Sequence, residues 1–236
     1  MSVVAVKPVA GHPSLRTDDI FEALQARILS DEWPAGTRLP PERELAESYD
    51  TNRNTLREAL RRLEQAGLVT VRQGQGVTVA DFRKTGSLEL ASPFIVHGRD
   101  LCEKAQIIFD LLEPRKRVLA YVAELFIERF EPADLTILEN ATRAIRIAEA
   151  SRNAPGMIAA EADFYEGMVS ATRDQIARWM ARPLLELNRD IQTRWSGIVL
   201  FEPSLSQFTS RFLSHAVARD QQAALTLLRN HYDEID

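Results

Sequence analysis

One cysteine and four histidines in 236 residues leave little for metal or thiol chemistry to work with. Cys102 alone cannot close an internal disulfide or build a cysteine zinc cluster, and it reads as a small core residue. Long apolar runs are also missing: nothing approaches the roughly 18 residues that a membrane-spanning helix needs, so no membrane partner is expected. The opening MSVVAVKPVAGHPS has a lysine, a proline and a glycine but no extended apolar stretch. It reads as a flexible arm over residues 1–13, not a signal peptide, and the expected location is cytoplasmic. A bulk positive charge is absent too, since 29 basic and 34 acidic side chains leave a net charge of -5. Total charge therefore announces no nucleic-acid partner, and any such reading has to rest on local arrangement. Neither a nucleophile motif nor a phosphate-cradling glycine loop nor a paired-carboxylate signature stands out, so an enzyme is not expected.

Helical and strand periodicities dominate what is present. Ile20, Phe21, Leu24, Ile28 and Leu29 recur at helical spacing, with Thr17 placed to cap the helix. WPAGTRLP then gives a turn and a short extended piece at Arg38 and Leu39, and Pro41 opens a second helix, PERELAESY. Thr51 or Asn52 caps a third helix whose inward face is Leu56, Ala59, Leu60 and Leu63, and Gly67 sits where a helix ends in a left-handed residue. LVTVR and GVTV, joined by QGQ, alternate as a β-hairpin does. Residues 81–99 show no clean period and read as a connector.

From residue 100 helical stripes follow one another. Val118, Leu119, Val122, Leu125 and Phe126 form the first; Leu135, Leu138, Ala141 and Ile145 the second; Ile158, Ala162, Tyr165 and Val169 the third. Ile176, Met180, Leu184, Leu187 and Ile191 make a fourth, with Pro183 expected to kink it, and Phe208, Phe212 and His215 open a fifth. Ala224, Leu227, Leu228 and His231 complete the last. The expected fold is mainly α, with a winged helix-turn-helix over 14–80 and an antiparallel bundle of six or seven helices over 100–236.

In a helix-turn-helix the second helix of the pair presents its N-terminal residues to base edges in the major groove. Those residues here are Asn52, Arg53, Asn54, Thr55 and Arg57. Arginine pairs bidentately with guanine and asparagine with adenine, while threonine bonds phosphate or touches a thymine methyl. Between Arg38 and Arg72 there are seven basic and six acidic side chains, a net of +1. A DNA face must come from sorting, with Glu42, Glu44, Glu47 and Glu58 turned aside. Arg53, Arg57, Arg61 and Arg62 taken alone fit a solvated helix face equally well; the full order of elements favours DNA.

LPPERELAE, NRNTLREALRRLEQAGLV and RQGQGVTV resemble the winged helix-turn-helix of GntR-type bacterial transcription regulators over roughly residues 15–80. The resemblance implies contacts to a double-stranded DNA operator from Arg43, Asn52, Arg53, Asn54, Thr55 and Arg57, and from Gln73 and Gly74 at the wing. Asn52 stands where that family usually has a serine or threonine. LLEPRKRVLAYVAE, AEADFYEGMVSATRDQI and RDQQAALTLLRNH resemble the effector-binding and dimerisation domain of the FadR-like subfamily, called FCD.

Many FCD domains hold a divalent metal. The corresponding positions carry Glu161, Tyr165, Thr209 and His231, so two of three expected histidines are missing, and neither a metal nor another cofactor is expected. The arginine that often receives a ligand carboxylate falls at about Phe109. The effector pocket implied in this way includes Phe109, Glu161, Tyr165, Trp195, Thr209 and His231. From the residues alone, Glu161, Tyr165 and His231 are either an internal hydrogen-bonded cluster, with Glu161 facing His231, or effector contacts. Trp179, Trp195, Phe201, Phe208 and Phe212 are read as core or as the lining of an apolar pocket.

The expected function is a homodimeric regulator on a palindromic operator, responding to a small-molecule effector such as an acyl-CoA or another metabolite. A metal-dependent FCD sensor of an organic acid, or a helical hydrolase with an interaction module, is the alternative.

Overall fold

A computed structural model describes residues 16–72, 74, 76–194 and 205–233. These form two compact units whose boundary lies between Ala105 and Gln106.

The first unit begins with α1 (Thr17–Leu29), which buries Ile20, Leu24, Ile28 and Leu29. Thr17 is its first helical residue and not its cap. The N-terminal turn is tied instead by Asp19, whose carboxylate accepts the Arg16 amide N–H at 2.9 Å. After the turn containing buried Trp33, Arg38 bridges to Thr78 and Leu39 donates its N–H to the Val77 carbonyl, so the short extended piece joins the hairpin. Helix α2 (Glu42–Ser48) inserts Leu45 and Ala46, and α3 (Arg53–Gln65) inserts Leu56, Ala59, Leu60 and Leu63.

Gly67 ends this helical pair at φ 73°, and a Cβ there would lie 2.5 Å from the Thr85 carbonyl oxygen. Only glycine fits both the backbone angle and the close approach. Strands β1 (Val69–Arg72) and β2 (Gly76–Val79) pair antiparallel with Val69 opposite Val79 and Arg72 opposite Gly76.

The segment read as a connector is largely helical. It holds α4 (Phe82–Thr85), a 3-10 turn at Leu88–Leu90 and α5 (Ala91–His97), and α5 packs on α1 through a face that includes Phe94 and Ile95. These helices are short, a single turn in α4, so no period could show in the sequence. Arg83 fastens the segment, donating to Asp31 at 3.0 Å and to Glu103 at 2.8 Å while lying over the Phe82 ring.

Helix α6 (Leu101–Arg129) begins the helical half and is followed by α7 (Pro132–Ala150), α8 (Ala154–Ala171), α9 (Gln175–Arg194), α10 (Leu205–Val217) and α11 (Gln221–Asp233). Among the described residues α7 packs on α8, α8 on α9 and α10 on α11, and α10 also packs on α7. The core gathers Leu119, Val122, Phe126, Leu138, Ile145, Phe164, Met168, Val169, Phe212 and Leu228.

Two further expectations differ from the structure. Cys102 is exposed, because it lies in the first turn of α6 beside Leu101, which is itself largely in solvent. The inward face of α9 is rotated from the expected stripe. Ala177 and Ala181 turn in with Leu184 and Leu187, while Ile176, Trp179 and Met180 are exposed. Small residues allow α9 to approach α8 closely, so the bulky ones are displaced outward.

Candidate DNA-reading helix and buried polar cluster

Asn52 is the cap of α3: its side-chain oxygen accepts the N–H groups of Asn54 and Thr55, both at 2.9 Å. That bond fixes the helix start and does not use the donors of the side-chain amide NH2. Arg53 and Asn54 are exposed at the tip, Thr55 is half-buried, and Arg57 follows one turn later. Arg53 has no ion pair among the described residues. Arg57 donates from Nε to a Glu42 carboxylate oxygen at 2.7 Å, and Arg43 lies 4.0 Å from Glu47 on α2.

The acidic residues are therefore partly paired with the cations they neighbour, not all turned aside. Arg61 pairs with Glu58, and Arg62 pairs with Asp18 while lying over the Phe21 ring, which ties it to α1. Gly74 takes φ 76° at the hairpin tip with open space around its Cα. Gln73 lies outside the described residues. The tip of α3 thus presents donors, a positive helix end and two arginine side chains on one exposed surface.

The helical unit buries a small polar cluster. Arg115 on α6 is 6% exposed, and its Nη2 donates to Glu161 of α8 at 2.9 Å. The other Glu161 oxygen accepts from Gln192 of α9 at 3.0 Å. The guanidinium carbon lies 5.0 Å from the Tyr232 ring centre and 5.8 Å from that of Tyr165, and the two phenol oxygens are 2.6 Å apart. His231 stacks on Phe208 with centroids 4.0 Å apart. Burial, with the Arg115 charge added, pushes the imidazole down to about 4. Burial, reinforced by Tyr232, raises the Tyr165 phenol well above its ordinary range. Both groups are consequently neutral near pH 7, and the ion pair is the charge in the cluster.

Arg115 is the residue that sequence reasoning missed. The PRKR run in which it stands looks like solvated charge, and it follows Pro114, which lies inside a continuous helix. The signal available was its place four residues before Leu119 on the inward stripe of α6. Phe109, placed at the carboxylate-binding position instead, is 60% exposed and belongs to no buried site. Its ring lies on the outer face of α6 because the buried face starts at Leu111 and Arg115. Glu161, Tyr165 and His231 do come together around Arg115, with the Glu161 carboxylate accepting from Arg115 and Gln192. Thr209 is fully buried with its hydroxyl donated to the Ser206 carbonyl. Trp179 is exposed on α9, and Trp195 and Phe201 lie outside the described residues.

These side chains do not fit a divalent metal. The carboxylate is committed to a guanidinium, the Tyr165 phenol holds its proton strongly, and the Thr209 hydroxyl is engaged with backbone. A cation would also have to sit beside Arg115. Among the described residues no group of three or more histidine, cysteine, aspartate or glutamate side chains is gathered.

A three-helix reader with a hairpin wing, followed by a helical unit with a buried polar cluster, defines a two-part protein of the regulatory class. Family models place it more closely: residues 16–79 match the GntR family of bacterial regulatory proteins, and residues 110–234 match the FCD domain. The chain belongs to the GntR family with an FCD domain. The transcriptional regulator Mce2R of Mycobacterium tuberculosis is 39% identical over 132 residues, covering 56% of this chain and 54% of that protein. The fatty acid metabolism regulator protein of Serratia proteamaculans is 32% identical over 123 residues, 52% of this chain and 51% of its own length. These matches span about half the length of the relatives. A solved structure of Lar, described as controlling expression of the Listeria monocytogenes agr system, has a TM-score of 0.62 at 12% identity. It covers 95% of this chain and 96% of that one, and the likeness shows the shared fold. No helix among the described residues is long and apolar enough to cross a membrane.

Proposed function

We propose that this protein is a transcription regulator that binds a palindromic operator as a homodimer and changes its affinity when a small molecule occupies the helical unit. The observation that carries the DNA part is the tip of α3, where Arg53, Asn54 and Arg57 are exposed beside a capped helix start and ahead of a hairpin with a glycine tip. Arg53 and Arg57 supply base or phosphate contacts, Arg43 supports from α2, and Thr55 and the Asn52 amide bond the backbone of the duplex. Gln73 and Gly74 approach it from the wing. Two such readers related by a two-fold axis read an inverted repeat.

The effector part is supported by the Arg115, Glu161, Gln192, Tyr165, Tyr232 and His231 cluster, since a helical core has no packing reason to bury so many polar groups. An acyl-CoA, whose acyl portion is uncharged, suits this charge-balanced interior, and the name of the Serratia relative agrees with it.

Selection of bound duplexes from a random library tests the DNA part. Wild-type protein is expected to enrich an inverted repeat, and Arg53→Ala to lose about 1–3 kcal/mol of specific affinity and relax sequence preference. Enrichment of no common sequence, or an unchanged motif with Arg53→Ala, would overturn the assignment.

A further inference from the structure

Glu161 is held in the way a bound ligand is held. One of its oxygens receives an arginine N–H at 2.9 Å and the other an amide N–H at 3.0 Å, from helices α6 and α9, while Glu161 itself belongs to α8. The side chains of Arg115 and Glu161 are 7% and 13% exposed. We propose that Glu161 is a built-in carboxylate that occupies the anion seat on Arg115, and so determines effector specificity by excluding small organic acids. This rests on reading the cluster as the effector site.

A second carboxylate entering the cluster would set two negative charges against one buried guanidinium, with a neutral imidazole and a protonated phenol unable to compensate. The arginine still has something to offer. Its Nε is buried and has no hydrogen-bond partner among the described residues. That N–H calls for an acceptor without a charge, such as the carbonyl oxygen of an ester, thioester or amide. The class of effector that matches is therefore a neutral carbonyl compound, with any charge it carries placed away from Arg115.

Truncation of Glu161 to alanine removes a fragment with the size and charge of acetate, so acetate is the probe. Glu161→Ala is expected to melt below wild type and to regain about 5 °C at an acetate concentration tenfold above its dissociation constant. Acetamide and chloride at equal ionic strength should give no such gain, and wild type should not respond. In the double variant Arg115→Met/Glu161→Ala the acetate response should vanish. If Glu161→Ala is recovered unfolded, its refolding yield in acetate against acetamide reads the same preference. Absence of an acetate-specific gain in both readouts, or an equal gain in wild type, would overturn the proposal.

Operator affinity measured on the same samples separates the two ideas. Acetate that stabilises Glu161→Ala while leaving its operator affinity unchanged keeps the seat and overturns the effector reading. Acetate that does not bind removes the seat whatever the operator does.

Discussion

Two arginine–glutamate pairs of similar length hold opposite positions in this molecule. Arg57 and Glu42 meet at 2.7 Å with side chains 57% and 36% exposed, whereas Arg115 and Glu161 meet at 2.9 Å almost wholly buried. Water and salt screen the first pair, so it can exchange partners with a phosphate or a base at small cost. The second has surrendered hydration on both sides, and neither member tolerates loss of the other. The same chemical contact is a replaceable surface latch in the first unit and a fixed internal neutralisation in the helical unit.

The buried pair should give the largest effect. Arg115→Met leaves the Glu161 carboxylate with Gln192 alone and is expected to destabilise the helical unit by about 3–5 kcal/mol in urea unfolding. Arg115→Met/Glu161→Leu removes both charges and should lie closer to wild type than the single variant does. A double variant as unstable as the single one would mean that packing at these positions, not charge pairing, sets the loss.

His231 sharpens the contrast through pH. Its imidazole titrates at about 4 in the folded protein against an ordinary 6.5. Above 6.5 both states are neutral and the group adds no pH dependence. Between 6.5 and 4 the unfolded chain binds a proton that the folded one refuses, so stability falls as acid is added. The full loss, on the order of 3 kcal/mol, is reached below the folded pKa. His231→Phe keeps the ring stack on Phe208 without the titration, so the two stability curves should diverge across this window and stay apart below it.

The reading unit was legible because each part has its own local signal. An Asn cap, an apolar stripe, a glycine at a left-handed turn and two alternating runs follow one another in a fixed order. In the helical unit the stripes revealed helices, but three of the turns end differently from the usual glycine pattern. Arg152, Arg173 and Arg219 occupy left-handed conformations at φ 50°, 52° and 56°. Arg173 donates back to the Ala171 and Arg129 carbonyls, and Arg219 to that of Ile127, so long side chains satisfy helix ends where glycine would leave them to water. The partner of Glu161 was not legible, because it stands 46 residues earlier in a basic run. Only three-dimensional packing decides which member of such a run turns inward.

On the exposed side, Asn52 separates helix capping from base reading. Asn52→Ala removes the acceptor used by Asn54 and Thr55 and is expected to reduce stability of the first unit by about 1 kcal/mol. Asn52→Ser preserves a cap oxygen and should restore that stability. If operator selectivity also returns with serine, the side chain contributes through the helix start; if it does not, the amide NH2 makes a contact of its own.

The smallest effect on stability, and the most direct comparison with the buried pair, belongs to Glu42→Gln. Its exposed partner should hold the change within about 0.5 kcal/mol. Binding should respond more strongly than folding. The Glu42 carboxylate accepts from Arg57 Nε, and in the proposed complex that bond would hold the guanidinium with its two terminal nitrogens available to a guanine edge. On the proposed DNA face the negative charge of Glu42 would oppose indiscriminate attraction to phosphate. Removing that charge is expected to strengthen binding to random duplex, steepen its salt dependence and narrow the gap between operator and non-operator affinity. Titrations of both duplexes at several salt concentrations measure these slopes. Unchanged discrimination with Glu42→Gln would show that Arg57 finds its orientation from the DNA itself, leaving the surface latch without a role in reading sequence.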